Sequence, residues 1–226
     1  MHPAFSVIFF TVTSGAGYGL IALLCLFNFL YFGMLFDKTN FLIFSGVSVA
    51  LFTMGLISST FHLANPKNAW RAFMRFRTSW LAREGLLAIL FYPTLFLYLI
   101  LIYFDFYKEY FLIMQLYSIY IFFFAIVIIY CTGMIYACLK TIPQWNTIWT
   151  PINYITIGVY LGSLIFFLLL SINEYNINPY KPILLIVITL AFITKFSYYL
   201  SIKGPRHGIG QATNAAIKLK DTNVRL

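Results

Sequence analysis

Between Ala4 and Ser201 the chain runs again and again for about twenty residues or more with hardly a charged side chain, and this repetition constrains the fold more than any other feature. In hydrocarbon every backbone N–H and C=O must be paired within the structure that crosses it, which leaves helices and closed barrels. The runs are 4–36, 41–62, 85–104, 110–139, 152–173 and 182–201. Barrel strands would alternate polar and apolar residues over about ten positions, whereas these runs are apolar throughout. The expected fold is therefore all-α, a polytopic transmembrane bundle of six spans. With 62% hydrophobic and 9% charged residues, the chain carries more apolar surface than a soluble core of its size can hide.

The first run has no basic leader and no small-residue cleavage site, and it exceeds the length of a signal-peptide core, so it reads as a retained, tilted span. The bundle is expected to fill residues 1–201, with 202–226 a polar, basic extramembrane tail. Cys25, Cys131 and Cys138 fall within spans at no ligand-like spacing and read as packing residues. Neither a CxxCH haem site nor an iron–sulfur cysteine cluster occurs, so no metal is expected in this subunit.

Six spans put the N-terminus, the 63–84 and 139–151 connections and the tail on one face. Lys67, Arg71, Arg75, Arg77, Arg83, Lys140, Lys203, Arg206, Lys218, Lys220 and Arg225 lie there, against Lys38, Lys108 and Lys181 on the other, with Lys195 inside the last span. The positive-inside rule makes the first face cytoplasmic; a docking patch for an acidic subunit is the alternative source of the asymmetry. The net charge of +9 does not imply nucleic acid, because the cations flank spans. All four tryptophans, Trp70, Trp80, Trp145 and Trp149, fall in first-face connections. They form either an interfacial belt or part of a site or docking surface on that face.

His62 closes the second span and Glu84 opens the third, so both lie at one membrane depth on adjacent helices. Glu84, beside Arg83, is the only acid on the first face before Asp221. Singly, Glu84 reads as a salt-bridge partner and His62 as a headgroup or helix-dipole contact. Together they fit proton chemistry, since ionisable groups near spans are costly and usually functional.

Three stretches, "HPAFSVIFFTVTSGAGYG" at 2–19, "SSTFHLANPKNAWRAFMRFRTSWLAREG" at 58–85 and "TIPQWNTIWTPINY" at 141–154, carry a family resemblance. The His-Leu-x-x-Pro run and the tryptophan-rich loop containing Trp-Thr-Pro are the more specific. Essentially the whole chain resembles the membrane anchor subunit of the dimethyl sulfoxide reductase type of molybdenum oxidoreductase complex. The resemblance implies a non-catalytic subunit of the bacterial cytoplasmic (inner) membrane, serving anaerobic-type electron transport. It would bind and oxidise a quinol, usually menaquinol, and pass electrons to a four-cluster iron–sulfur subunit that feeds a molybdopterin catalytic subunit. It also implicates His62 and Glu84 in quinol oxidation; Arg83, Trp80, Trp145 and Trp149 are further candidates for quinol contact. Family members generally have eight spans, so the chain is expected either to continue beyond Leu226 or to be a short form.

"TSGAGYG" at 13–19 lacks the strand and spacing of a dinucleotide fingerprint. It reads as close helix packing or as a local opening beside a quinone. Pro93 is expected to kink the third span. Pro143 and Pro151 stiffen the connection that holds Trp145 and Trp149, which becomes a belt, a wall of the quinol site or a docking surface. A small transporter or channel is the competing function, but it would usually place polar groups or broken helices at mid-membrane, where Lys195 is the sole charge. A haem-bearing cytochrome needs paired histidines at one depth, and of His2, His62 and His207 only His62 lies by a span.

Two measurements check these expectations. Reporter fusions after Trp70 and after Lys108 should report opposite compartments, with the Trp70 side cytoplasmic; a periplasmic Trp70 would make the basic loops docking surface. The purified subunit should show no haem absorption band, and a stoichiometric b-type spectrum would overturn the anchor reading.

Overall fold

The computed structural model describes residues 3–31, 37–61 and 74–202. Six helices account for nearly all of them: α1 Pro3–Tyr31, α2 Lys38–Thr60, α3 Trp80–Tyr103, α4 Phe111–Ala137, α5 Trp149–Ile172 and α6 Lys181–Ser201. Single-turn helices at Phe106–Lys108 and Asn178–Tyr180 lead into α4 and α6. Each of the six is long and apolar enough to cross a membrane, and no strand occurs among the described residues.

Helix boundaries differ from the apolar runs in an informative way. The third helix starts at Trp80, five residues before the run that marks it, because Ser79 caps it with a side chain that accepts a hydrogen bond from the Ala82 amide at 3.4 Å. Arg83 and Glu84 therefore lie in the first turns of α3, not before it. Likewise α2 begins at Lys38, ahead of the apolar run, where the Lys38 ammonium donates to Asp105 at 2.9 Å and to the Tyr103 carbonyl at 3.1 Å. This ties the start of α2 to the end of α3, and the lysine holds the Asp105 carboxyl below its usual range. The Asn40 amide donates to the Tyr175 hydroxyl at 2.6 Å, so the start of α2 also meets the α5–α6 connection. The start of α2 and the α3–α4 and α5–α6 connections thus share one face, as the alternation of six spans requires. Pro93 does not break α3, which runs through it as one helix.

The central element is α1. It packs most extensively on α2, α5 and α4; α3 packs on α4, and α6 on α5. Leu20, Ile21, Ala22, Leu24 and Cys25 are fully buried on all sides of α1, as expected of a helix apolar all round and surrounded by others. Lipid tails are as apolar as leucine, so helices in a bilayer associate through packing, and small residues let backbones approach. The glycines of "TSGAGYG" do this. A β-carbon on Gly19 would fall 2.1 Å from the Gly158 carbonyl oxygen of α5, and one on Gly17 would fall 2.6 Å from the Phe52 backbone nitrogen of α2. Ser48 then donates to the Gly17 carbonyl at 2.8 Å across the same crossing.

A backbone-to-backbone clash cannot relax by a rotamer change, so Gly19→Leu should destabilise the purified chain by about 3 kcal/mol or more, at or beyond the usual cost of overpacking. Gly46 has nothing near its missing β-carbon, and Gly46→Ala should stay within about 0.5 kcal/mol of the parent. Thermal unfolding in detergent checks both.

Candidate functional site

Glu84 is 4% exposed and turns inward from α3 to meet α4, where its carboxylate accepts a hydrogen bond from the Thr132 hydroxyl. It forms no ion pair among the described residues. Arg83, the partner that sequence adjacency suggests, points elsewhere: its guanidinium donates to the carbonyls of Phe76 at 3.0 Å and Arg77 at 2.7 Å and lies 4.2 Å over the Trp80 ring. Consecutive helix residues face about 100° apart, so Arg83 covers the outer edge while Glu84 enters the bundle.

Thr132 is the link from Glu84 to a cavity. About 640 Å³ in volume, it lies between α1, α4, α5 and α6, within the roughly 300–1,000 Å³ usual for ligand pockets. Its walls come from the first half of α1, the last third of α4, the first half of α5 and the last third of α6. All four segments belong to the half of the bundle beside the tryptophan-bearing connection, and Trp145 itself stands at the rim. Most of the lining is apolar, with a few convergent polar groups: Tyr18 of α1, Thr132 and Tyr136 of α4, Asn153 and Tyr154 of α5, and Lys195 of α6. Between α1 and α6, which pack on α5 rather than on each other, the cavity borders on Ile8 and Val12, both about half exposed. On this side the cavity is open at the surface of the bundle.

Local sequence builds the rim. The Asn146 amide donates to the Ala137 carbonyl at 2.6 Å and so satisfies an orphan acceptor at the end of α4. The Thr150 hydroxyl donates to the Trp145 carbonyl at 2.7 Å, pinning the connection to the start of α5. Tyr136 meets Trp145 edge to face at 5.3 Å and stacks on Tyr154 at 5.4 Å. A β-carbon on Gly133 would fall 2.6 Å from Pro151, so this glycine lets α5 close against α4 beside Thr132.

Two polar side chains bordering the cavity have no partner. The Asn153 amide, 5% exposed, leaves both its nitrogen and its oxygen unbonded, and the Tyr18 hydroxyl, 2% exposed, is likewise unbonded. Leaving a buried donor or acceptor unpaired costs about 1–3 kcal/mol.

Of the residues singled out in the sequence, the structure gathers Glu84 and Trp145 at this cavity. Trp80 packs edge to face on Tyr130 of α4 at 5.9 Å, outside the lining, and Trp149 opens α5 without reaching it. His62 and Trp70 lie outside the described residues. Thr132, Tyr18 and Asn153 were not singled out. Thr132 looks like any hydroxyl in an apolar helix; Asn153 had a usable signal, an amide one turn inside a span. The glycine run packs closely on α2 and α5, and Gly15 also lines the cavity. Among the described residues, no group of histidine, cysteine, aspartate and glutamate is placed to hold a metal ion.

The family described as DMSO reductase anchor subunit (DmsC) matches residues 1–216. The chain is 31% identical over 196 residues to a sulfite dehydrogenase subunit of Allochromatium vinosum, an alignment that takes in 79% of this chain and 58% of that protein. It thus spans little more than half the length of that relative. No solved structure matches it. A polytopic helical membrane protein matched along nearly its whole length, the chain belongs to the DMSO reductase anchor subunit family.

Proposed function

We propose that the chain is the quinol-oxidising membrane anchor of a molybdoenzyme complex in the bacterial cytoplasmic membrane. On this proposal it takes two electrons and two protons from a quinol, usually menaquinol, hands the electrons to a four-cluster iron–sulfur subunit, and through it serves a molybdopterin catalytic subunit. Family membership supports the anchoring part. The observation that carries the quinol part is the buried Glu84 carboxylate, bonded to a hydroxyl on the wall of a cavity open at the surface of the bundle.

Quinol oxidation needs an apolar slot for an isoprenoid tail, a place for the ring and bases for two protons. The gap between α1 and α6 offers the slot. For one proton, Thr132 can accept from a quinol hydroxyl while passing its own hydrogen to Glu84, so the net transfer is from the ring oxygen to the carboxylate. For the other, His62 at the end of the second span is the proposed base. Among the described residues no ligand set for a redox metal occurs, and on this reading the redox centres that receive the electrons belong to the partner. Glu84 pairs with no cation among the described residues, and its neighbour Arg83 is occupied by the Phe76 and Arg77 carbonyls, which disfavours a charge-neutralising role for Glu84.

The test uses the assembled complex in membranes. Glutamine keeps the size of Glu84 and its bond to Thr132 but cannot take a proton. Glu84→Gln should lower quinol-driven turnover about 100-fold, with binding of a quinol-analogue inhibitor retained. His62→Ala should abolish quinol-driven turnover and spare activity with an artificial donor that bypasses the membrane. Near-normal turnover of Glu84→Gln would remove it from the proton path. Equal loss of both activities in His62→Ala would make that residue structural.

A further inference from the structure

We propose that Asn153 and Tyr18 form the polar pole of the cavity, the pair of side chains that holds one oxygen of a para-quinol or para-quinone ring. The inference rests on the quinol reading above and says where in the cavity the ring sits and what binds it.

Buried polar groups in folded proteins are almost always paired, so an exception asks for an explanation, and an absent ligand is one. Here two exceptions from different helices, α1 and α5, border the same cavity. Neither is loosely placed. The Tyr18 ring stacks on Phe52 at 4.7 Å, nearly parallel, and meets Phe91 edge to face at 5.4 Å, so α2 and α3 fix where its hydroxyl points. Asn153 sits one turn into α5, where Thr150 anchors the preceding connection and the Thr156 hydroxyl donates to the Asn153 carbonyl at 3.4 Å. Preorganised side chains lose little freedom on binding.

The chemistry of the pair fits a ring that alternates between two states. A quinol oxygen carries a hydrogen and donates; a quinone oxygen only accepts. The asparagine amide offers both a carbonyl and an NH2, and the tyrosine hydroxyl both gives and takes, so this pole can serve either state without rearranging. Thr132 of α4, bonded to Glu84, lines the same cavity, so a ring held at this pole stands in the space that Thr132 borders. Most of the remaining wall is apolar and suits the ring faces, and Trp145 and Tyr136 close the rim.

A residue kept for a ligand rather than for the fold should leave the empty protein no less stable when it is made apolar. The experiment measures menadiol as electron donor to the assembled complex, for Asn153→Leu and Tyr18→Phe. The KM for menadiol should rise about tenfold in Asn153→Leu and about fivefold in Tyr18→Phe, the usual worth of a buried hydrogen bond or two. Activity with the artificial donor should be unchanged, and the thermal midpoint of each purified variant should equal or exceed that of the parent. KM values within twofold of the parent in both variants would overturn the assignment while leaving quinol oxidation standing. If Asn153→Leu fails to assemble, the isosteric Tyr18→Phe decides alone. A parent complex that turns over with the artificial donor but not with menadiol would sink the quinol reading itself, and this inference with it.

Discussion

The bundle depends on one contact, the crossing of α1 with α5 at glycines. With Gly19 against the Gly158 carbonyl, and Gly162 close enough that a β-carbon there would fall 2.3 Å from the Leu20 nitrogen, two backbones touch where side chains ordinarily intervene. Water drives no association between helices inside lipid, so such a contact gains through dispersion and close backbone approach. It also fixes what comes next. The cavity lies on the first-face side of that crossing, between these two helices and α4 and α6, with Gly15 and Gly158 in its wall.

Two polar arrangements in the same half of the bundle oppose stability. Glu84 is a carboxyl within the span, which costs several kcal/mol unless it is bonded or neutral, and Thr132 answers only part of its capacity. Asn153 and Tyr18 go unanswered. In the other half Asn28 donates to the Tyr98 hydroxyl at 2.7 Å, Ser118 to the Cys25 carbonyl at 2.7 Å and Gln115 to the Phe29 carbonyl at 3.2 Å, while the buried Ser45 hydroxyl of α2 is unbonded. Ser45 does not line the cavity, whereas Asn153 and Tyr18 do, and unpaired groups that border a cavity are departures of the kind that concentrate at functional sites.

The spans were legible because lipid imposes one length and one polarity, which six uncharged runs display directly. Their ends were less so. A scan for apolar runs stops at Arg83 and Glu84, whereas the helix start depends on the Ser79 cap, a local signal present in the sequence. Glu84 stood out in the sequence as a lone acid among cations, but its partner was not legible there. Adjacency suggested Arg83, and only the pairing of α3 with α4 brings in Thr132, 48 positions away. Asn153 and Tyr18 were hidden for the same reason: an unpaired amide looks like a paired one until the neighbouring helices are in place. His62 lies outside the described residues, so its role rests on its position in the chain alone.

The outer wall of the cavity is a single helix deep. Its contributor α6 is largely exposed and buries only Thr194, whose hydroxyl meets that of Thr156 on α5 at 2.9 Å. Yet α6 brings Lys195 and Tyr198 to the lining, and the Lys195 ammonium lies 5.1 Å over the Tyr198 ring and 5.2 Å over Tyr199. A cation over two aromatic faces is partly compensated without a carboxylate, so it can stand at a cavity wall without drawing Glu84 toward it. That separation has a consequence for the proposed chemistry. A lysine bonded to Glu84 would compete with Thr132 for the carboxylate, whereas here the Thr132 hydroxyl keeps that place, and the proposed route from the cavity to Glu84 runs through it.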